Sequence, residues 1–196
     1  SAAPTSVPTP KPIPGLEVQG GSTHFISEDG GTTSLITVSL STIPLSTVTI
    51  FLSSVAGFVA CEPSTIIFDS TNFGEAVEII FSAVPDEVDH GHNYTDVVSF
   101  HFASADSWDE CYEEREDCGQ AVAYNNFFVP PLNITVTDDD TAGVTVAVDS
   151  TAATYDNFGE ALDPASYTVI LHTKPRAPVT LTVSNLGPFR LQSHHL

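Results

Sequence analysis

The stretch ITVSLSTIPLSTVTIFLS, residues 36–53, decides the fold. On either side of Pro44 it alternates apolar or β-branched residues with Ser and Thr, a pattern typical of two strands joined by a turn. Similar runs recur along the chain, separated by turn residues at the spacing of about 8–12 residues that is typical of a β-sandwich. They are LEVQG, SLITVSLS, STVTIFLSS, STIIFDS, AVEIIFSAV, DVVSFHFAS, PLNITVTDDD, AGVTVAVDS, SYTVILHT and APVTLTVSN. No stretch of helical period is longer than a turn or two, so the sequence predicts an all-β, antiparallel sandwich.

An internal repeat indicates how the 196 residues are divided. Residues 36–53 align without gaps to residues 167–184, YTVILHTKPRAPVTLTVS, and eight of the eighteen positions are identical. Composition alone would give about two or three identities. We therefore expect tandem repeats, with one sandwich over residues 16–143 and the first strands of a second over residues 144–196. Because roughly three or four strands cannot close a sandwich, we expect other copies of this chain, or other repeat-containing subunits, to complete residues 144–196.

The first fifteen residues differ in composition from the rest. The segment SAAPTSVPTPKPIPG, residues 1–15, contains five prolines, several Ser and Thr and few apolar side chains. Such a composition favours an extended, polyproline-like linker over a part of the core.

The charge balance excludes several classes of function. The chain has 25 acidic and 5 basic residues and a formal net charge of −20. This field repels phosphate backbones and anionic lipid surfaces, so we expect no nucleic-acid partner. No apolar run approaches the roughly 18 residues of a membrane span, so we expect no direct membrane insertion. A field of this sign attracts cations.

Cysteines and acceptor sequons favour an extracellular or cell-surface location. Cys111 and Cys118 enclose an acidic loop, and a disulfide between them would close a hairpin-like bend. Cys61 is then left over, either as a buried apolar thiol or as a partner for another chain. The tripeptides that begin at Asn93 and Asn133 are N-glycosylation sequons, which are used on the secretory route.

Three acidic turns are candidates for cation binding. Asp138, Asp139 and Asp140 follow one predicted strand, and further carboxylates lie in residues 84–89 (VPDEVD) and 27–31 (SEDGG). Adjacent carboxylates repel one another unless they are solvated or bind a hard cation. Oxygen ligands on loops, without clustered soft donors, suit Ca²⁺ better than zinc or copper.

These features together resemble the Calx-β family of tandem extracellular repeats. The resemblance rests on a Glu after the first strand, on the segment STIIFDSTNFGEAVEIIFSAV, on the DEVD turn and on the terminal TVTDDDTAG, and it covers residues 16–143. It implies an immunoglobulin-like sandwich of seven strands with a calcium site at one end. By position, the ligands that it implies are Glu28, Asp86, Glu87, Asp89, Asp138, Asp139 and Asp140. In the second repeat, Glu160 lies near the place of Glu28.

The sequence contains no catalytic constellation, so we expect no enzymatic activity. Our leading hypothesis is a structural or adhesive extracellular protein whose sandwich repeats, joined end to end, form a stalk, filament or cell-surface array. The alternative is a calcium-regulated binding module of a receptor or transporter. An enzyme comes third among the functions considered. As a separate site, His90 and His92 could bind a transition metal, since both side chains would lie on one face of a strand.

Overall fold

The computed structural model of the chain describes residues 13–21, 23–105, 123–148, 167–182 and 184. These residues form an all-β structure, as predicted, and the described part of the chain contains no helix long and apolar enough to cross a bilayer. They fall into two compact units, divided between Asp140 and Thr141. The strands are β1 (Leu16–Gln19), β2 (His24–Ser27), β3 (Ser34–Leu40), β4 (Val48–Ser54), β5 (Val59–Glu62), β6 (Thr65–Phe68), β7 (Val77–Ala83), β8 (Asn93–Ser104), β9 (Leu132–Thr137), β10 (Val144–Val148) and β11 (Tyr167–Leu171).

The first unit is an immunoglobulin-like sandwich of two sheets. One sheet has four strands in the order β1-β3-β7-β5, and the other has five in the order β2-β9-β8-β4-β6. The described residues of this unit therefore contribute nine strands, against the seven that the family resemblance implies. The additional strands include β2 and β5, which have four residues each and which the sequence pattern did not reveal.

The core lies between the inner faces of these two sheets. Alternate residues of each long strand are buried, as in β3 and β4, where three residues of each strand face inward. The central strands β3, β4, β7, β8 and β9 supply most of the cluster, and Tyr124 joins it from the segment before β9. Its fully buried side chains include Ile36, Val48, Ile50, Phe68, Ile79, Phe81, Val98, Tyr124, Ile134 and Val136.

The chain crosses from one sheet to the other between β1 and β2. Strand β1 pairs antiparallel with β3, whereas β2 pairs parallel with β9, with Ser27 opposite Thr137. Gly20 makes the crossing with a φ of 152°, a conformation that residues with a Cβ rarely adopt. A Cβ at this position would lie 2.9 Å from Cγ2 of Ile36. The antiparallel sandwich that the sequence predicts therefore contains one parallel pair, and this pair brings the ends of β2 and β9 together.

The two strands of the second unit pair in a register that corresponds to that of β1 with β3 in the first unit. In β1 and β3, Leu16 lies opposite Leu40, and in β10 and β11, Val144 lies opposite Leu171. Leu171 is the residue that the sequence repeat aligns with Leu40. The glycine before each first strand also accepts an equivalent hydrogen bond: Ser41 N–H to Gly15 O at 2.9 Å, and His172 N–H to Gly143 O at 2.9 Å.

In the described residues 177–182 and 184, the strand predicted over residues 177–185 is not formed. Residues 179–182, which align with the first four residues of β4, pair with no strand in the described part of the chain. Strand β4 is held between β8 and β6, and the described residues 141–148 and 167–182 contain no counterpart of either. A strand whose backbone groups lack a ladder partner has little to stabilise it.

Cys61 lies on β5 and packs against the core as a free thiol. Burial raises its pKa to about 11, and the charge of Asp96 adds to the shift. The thiol is therefore neutral near pH 7. The predicted Cys111–Cys118 disulfide, residues 1–12 of the linker and Glu160 lie outside the described residues.

Replacing Gly20 with Ala should destabilise the first unit. The new Cβ would contact the buried Ile36 side chain in a strained backbone conformation, and we expect a loss of about 2 kcal/mol. Gly74→Ala is the matched control, since a Cβ at that position meets no atom within 4 Å. Chemical denaturation of both variants tests this expectation. Equal stability of the two proteins would show that the crossing tolerates a side chain.

Candidate metal centre

The parallel pairing of β2 with β9 places two acidic segments side by side. Both strands end at the same edge of the sheet, so Glu28, which follows β2, lies beside Asp138, which follows β9. The Glu28 N–H continues the ladder by donating to Thr137 O at 3.1 Å. Residues 110 positions apart in sequence thus meet at one end of the sandwich.

Four carboxylates gather at this point, and we call them the carboxylate group: Glu28, Asp138, Asp139 and Asp140. One oxygen from each lies within 4.8 Å of the others. Calcium binds oxygen ligands at about 2.3–2.6 Å, so two ligands of one ion are at most about 5 Å apart. The spacing of the carboxylate group therefore allows all four residues to contact a single ion.

Two oxygens of the carboxylate group are buried without a hydrogen-bond partner in the described structure. They are Oε2 of Glu28, whose residue is only 6% exposed, and Oδ2 of Asp140. The other oxygen of Glu28 accepts a hydrogen bond from the Tyr94 hydroxyl at 2.7 Å. Asp138, also buried, accepts from the backbone N–H groups of His90 and Asp140. Buried carboxylate oxygens without donors cost free energy, so Oε2 and Oδ2 point to a ligand.

The pKa of Glu28 shows that this site does not stabilise negative charge by itself. Burial raises this pKa above its ordinary value, the proximity and charge of Asp138 and the charge of Asp86 raise it further, and the Tyr94 hydrogen bond only partly opposes them. The pKa of Asp140 is also raised, first by burial and then by neighbouring negative charges, of which that of Asp139 has the largest effect.

Asp96 is a buried carboxylate whose negative charge is stabilised by hydrogen bonds alone. It is 1% exposed, so burial would raise its pKa, yet four hydrogen bonds hold the pKa below its ordinary value. The donors are the hydroxyl of Ser54 and the backbone N–H groups of Ala56, Phe58 and Val97. These bonds fix the turn after β4. Glu28 accepts one hydroxyl bond instead of four hydrogen bonds, so its charge remains poorly stabilised.

In residues 13–105 and 123–140, histidine is the only side chain that can carry a positive charge. Residues 13–105 and 123–140 contain neither Lys nor Arg. The negative charge of the carboxylate group can therefore be neutralised within this part of the chain only by protons or by a bound cation.

The second predicted acidic turn borders the carboxylate group without joining it. Asp86 and Glu87 are close enough for their charges to raise the pKa of Asp140. The oxygens of Asp86 accept from Val88 N–H at 2.7 Å and contact Nε2 of His90 at 3.1 Å. Asp89 accepts from Gly91 N–H at 2.8 Å. Four of the seven predicted ligands thus form the group, and Asp86, Glu87 and Asp89 are outside it.

Tyr94 is the residue of the site that sequence reasoning missed. It lies on the inward register of β8, opposite Val136. Its ring packs against Phe58 and His90, with centroids 4.9 and 4.6 Å away. The signal was the strand alternation itself, which places Tyr94 on the same face of β8 as the buried Asp96 and Val98.

The remaining predicted positions lie apart from the carboxylate group. His90 contacts Asp86 and stacks on aromatic rings, and neither His90 nor His92 belongs to a described group of potential metal ligands. Asn93 begins β8 and Asn133 is the second residue of β9, and both side chains are exposed.

No family model and no curated protein matches this sequence. Among solved structures, the chain is similar to SSP-19, an MSP-domain protein-like family member of Caenorhabditis elegans, with 14% identity over 60% of this chain and 94% of that chain and a TM-score of 0.33. It is similar to the E. coli chaperone DraB, with 8% identity over 83% of this chain and 88% of that chain and a TM-score of 0.41. It is also similar to a chain of the Salmonella enterica SafA pilin–SafB chaperone complex, with 10% identity over 70% of this chain and 60% of that chain and a TM-score of 0.38.

The raised pKa values predict an unusual dependence of stability on pH. Glu28 and Asp140 bind protons more tightly in the folded state than in the unfolded state. In the presence of a chelator, lowering the pH from 7 towards 4.5, the ordinary pKa of Glu, should therefore raise the free energy of unfolding. Below about pH 4 the lowered pKa of Asp96 should reverse the trend.

Urea unfolding at a series of pH values measures this dependence. Acidification also weakens the general repulsion of a chain of charge −20, so Glu28→Gln is compared with Glu78→Gln, an exposed glutamate of β7. Glu28→Gln should flatten the profile and Glu78→Gln should leave it nearly unchanged. Parallel profiles for the two variants would contradict the assignment.

Proposed function

We propose that this chain is a non-enzymatic extracellular protein of Calx-β type, structural or adhesive in role, whose β-sandwich units are joined end to end and stiffened by calcium. The observation that carries the proposal is the carboxylate group, with two buried oxygens that lack a hydrogen-bond partner in a region devoid of Lys and Arg.

The donor set fits Ca²⁺. All four residues offer carboxylate oxygens, which a hard cation prefers. Ca²⁺ binds roughly six to eight oxygen ligands in a flexible geometry, whereas Mg²⁺ requires a near-ideal octahedron. Glu28 and Asp140 would hold the ion through Oε2 and Oδ2, with Asp138 and Asp139 beside them. The ion would supply the positive charge that the described first unit lacks. Tyr94 and the backbone N–H of His90 would keep Glu28 and Asp138 in position.

The position of the site in the chain is what links it to stiffness. The first unit ends at Asp140 and the second begins at Thr141. Whatever orders Asp138–Asp140 therefore also orders the point at which the chain leaves the first unit. Without the ion, repulsion between the carboxylates should loosen this segment.

The pairing of β10 with β11 supports the proposal of repeated units. Its register is that of β1 with β3, and the Gly143 carbonyl accepts the hydrogen bond that corresponds to that of Gly15. In the described residues, β10 and β11 pair only with each other and expose Val146 and Ile170. Further copies of this chain, or other subunits with such repeats, would complete the second sandwich.

Replacing Glu28 with Gln should have opposite effects with and without calcium. In chelator, the variant removes a poorly stabilised buried charge and should be at least as stable as the wild type. In millimolar calcium, the wild type should gain about 1.4 kcal/mol for a dissociation constant near 10⁻⁴ M, and the variant should lose most of this gain.

Thermal unfolding in both buffers measures these effects, with Glu78→Gln as the matched control for loss of an exposed carboxylate. We expect a calcium-dependent rise in Tm of about 3–6 °C for the wild type and for Glu78→Gln. An equal rise in Glu28→Gln would place the ion elsewhere.

The proposed stiffening is tested on the full chain by small-angle X-ray scattering. Calcium should narrow the distribution of dimensions of the wild type, whereas Asp139→Ala/Asp140→Ala should behave in calcium as the wild type does in chelator. A variant that still responds to calcium, or a wild type that does not, would mean that these carboxylates do not control the junction.

A further inference from the structure

The two glycosylation sequons lie on neighbouring strands and pair with each other. Strands β8 and β9 are antiparallel, and Thr95 of the first sequon lies opposite Thr135 of the second. Asn93 lies opposite Thr137, and Asn133 lies opposite Val97. The two asparagines are therefore at diagonal corners of one patch, roughly 14 Å apart by strand geometry.

Both asparagines are on the outer face of the five-stranded sheet. Their neighbours Asp96, Ile134 and Val136 are buried, while Asn93 and Asn133 are exposed. Because side chains alternate along a strand, a shift of register by one residue would turn either asparagine into the core. A carbohydrate on either residue is thus compatible with the closed sandwich.

This outer face differs in charge from the outer face of the other sheet. On β2, β9, β8, β4 and β6, the residues that alternate with the buried ones include no Asp, Glu, Lys or Arg. The outer face of the four-stranded sheet carries Glu17, Glu62 and Glu78. In a chain with a net charge of −20, this face is set apart because its polar side chains, mainly Ser, Thr and Asn, carry no charge.

The uncharged face also exposes an aromatic ring next to one sequon. Phe25, on the edge strand β2, is 57% exposed and lies opposite Thr135. Asn133 is two residues from Thr135 on the same face, so the ring and this asparagine are diagonal neighbours. The C–H face of a sugar can cover such a ring.

We propose that the outer face of the five-stranded sheet is a carbohydrate-covered face, with N-linked glycans on Asn93 and Asn133 and with the Asn133 glycan lying over Phe25. In each attachment, Nδ2 of the asparagine bonds to the anomeric carbon of a lipid-pyrophosphate-linked oligosaccharide. The bond from that carbon to the pyrophosphate oxygen breaks, its electron pair leaves on the oxygen, and the amide loses one proton. Contacts with other protein subunits are then made by other surfaces.

The local geometry leaves the acceptor nitrogen of Asn93 accessible. Oδ1 of Asn93 accepts a hydrogen bond from Thr137 Oγ1 at 3.1 Å, which orients the amide and leaves Nδ2 without a partner among the described residues. The inference rests on the extracellular location in the proposed function, and it is independent of the calcium site.

The first part of the test is a mass measurement. The full chain is secreted from a eukaryotic host and treated with an N-glycosidase. We expect two glycans on the wild type and one on each of Asn93→Gln, Asn133→Gln and Thr135→Val, while Thr135→Ser should keep both. A chain that is recovered from the medium with no mass change on treatment would overturn the inference. Failure of the chain to leave the cell would instead contradict the extracellular location on which it rests.

The second part measures the cover of the face by hydroxyl-radical footprinting. Phe25 should be oxidised several-fold faster in Asn133→Gln and Thr135→Val than in the wild type, and much less affected by Asn93→Gln. Phe128, which is 78% exposed and lies outside the strands, is the internal control and should not change. Equal oxidation of Phe25 with and without the Asn133 glycan would overturn the proposed contact.

Discussion

The parallel pairing of β2 with β9 is the constraint on which the first unit depends. If β2 had continued β1 in the four-stranded sheet, Glu28 would not lie beside Asp138, because Ser27 would not face Thr137. The crossing requires Gly20, whose backbone conformation and close contact with Ile36 leave little room for a side chain. The crossing at Gly20 therefore both completes the five-stranded sheet and brings the residues of the carboxylate group together.

The unit holds buried carboxylates in two ways. Asp96 accepts enough hydrogen bonds to remain ionised without a bound cation, and these bonds stabilise the turn after β4. Glu28 and Asp140 keep oxygens without donors, and their pKa values rise as a result. Burial alone therefore does not distinguish a structural carboxylate from a candidate ligand. The number of hydrogen-bond donors around each oxygen does.

Sequence alone predicted the strands that alternate regularly and failed where alternation and burial disagree. Strand β2 buries His24 and exposes Phe25, the reverse of what hydrophobicity indicates, because His24 bonds to Ser34 at 2.9 Å and packs edge-on against Phe81. In the described residues 177–182 and 184, the predicted strand is absent for another reason, since a suitable pattern is not sufficient where the sheet partners of β4 have no described counterpart.

For the site, the acidic turns were visible in the sequence, but which of them meet was not. The carboxylate group requires the crossing at Gly20, which no periodicity reveals, and Tyr94 joins it only through the register of β8 with β9. Anomalous diffraction from crystals grown in calcium and then exchanged with a lanthanide tests the central claim most directly. The account predicts one strong peak for the first unit, about 2.3–2.6 Å from oxygens of Glu28, Asp138 and Asp140. A well-ordered carboxylate group with no peak, or with the ion bound elsewhere, would contradict it.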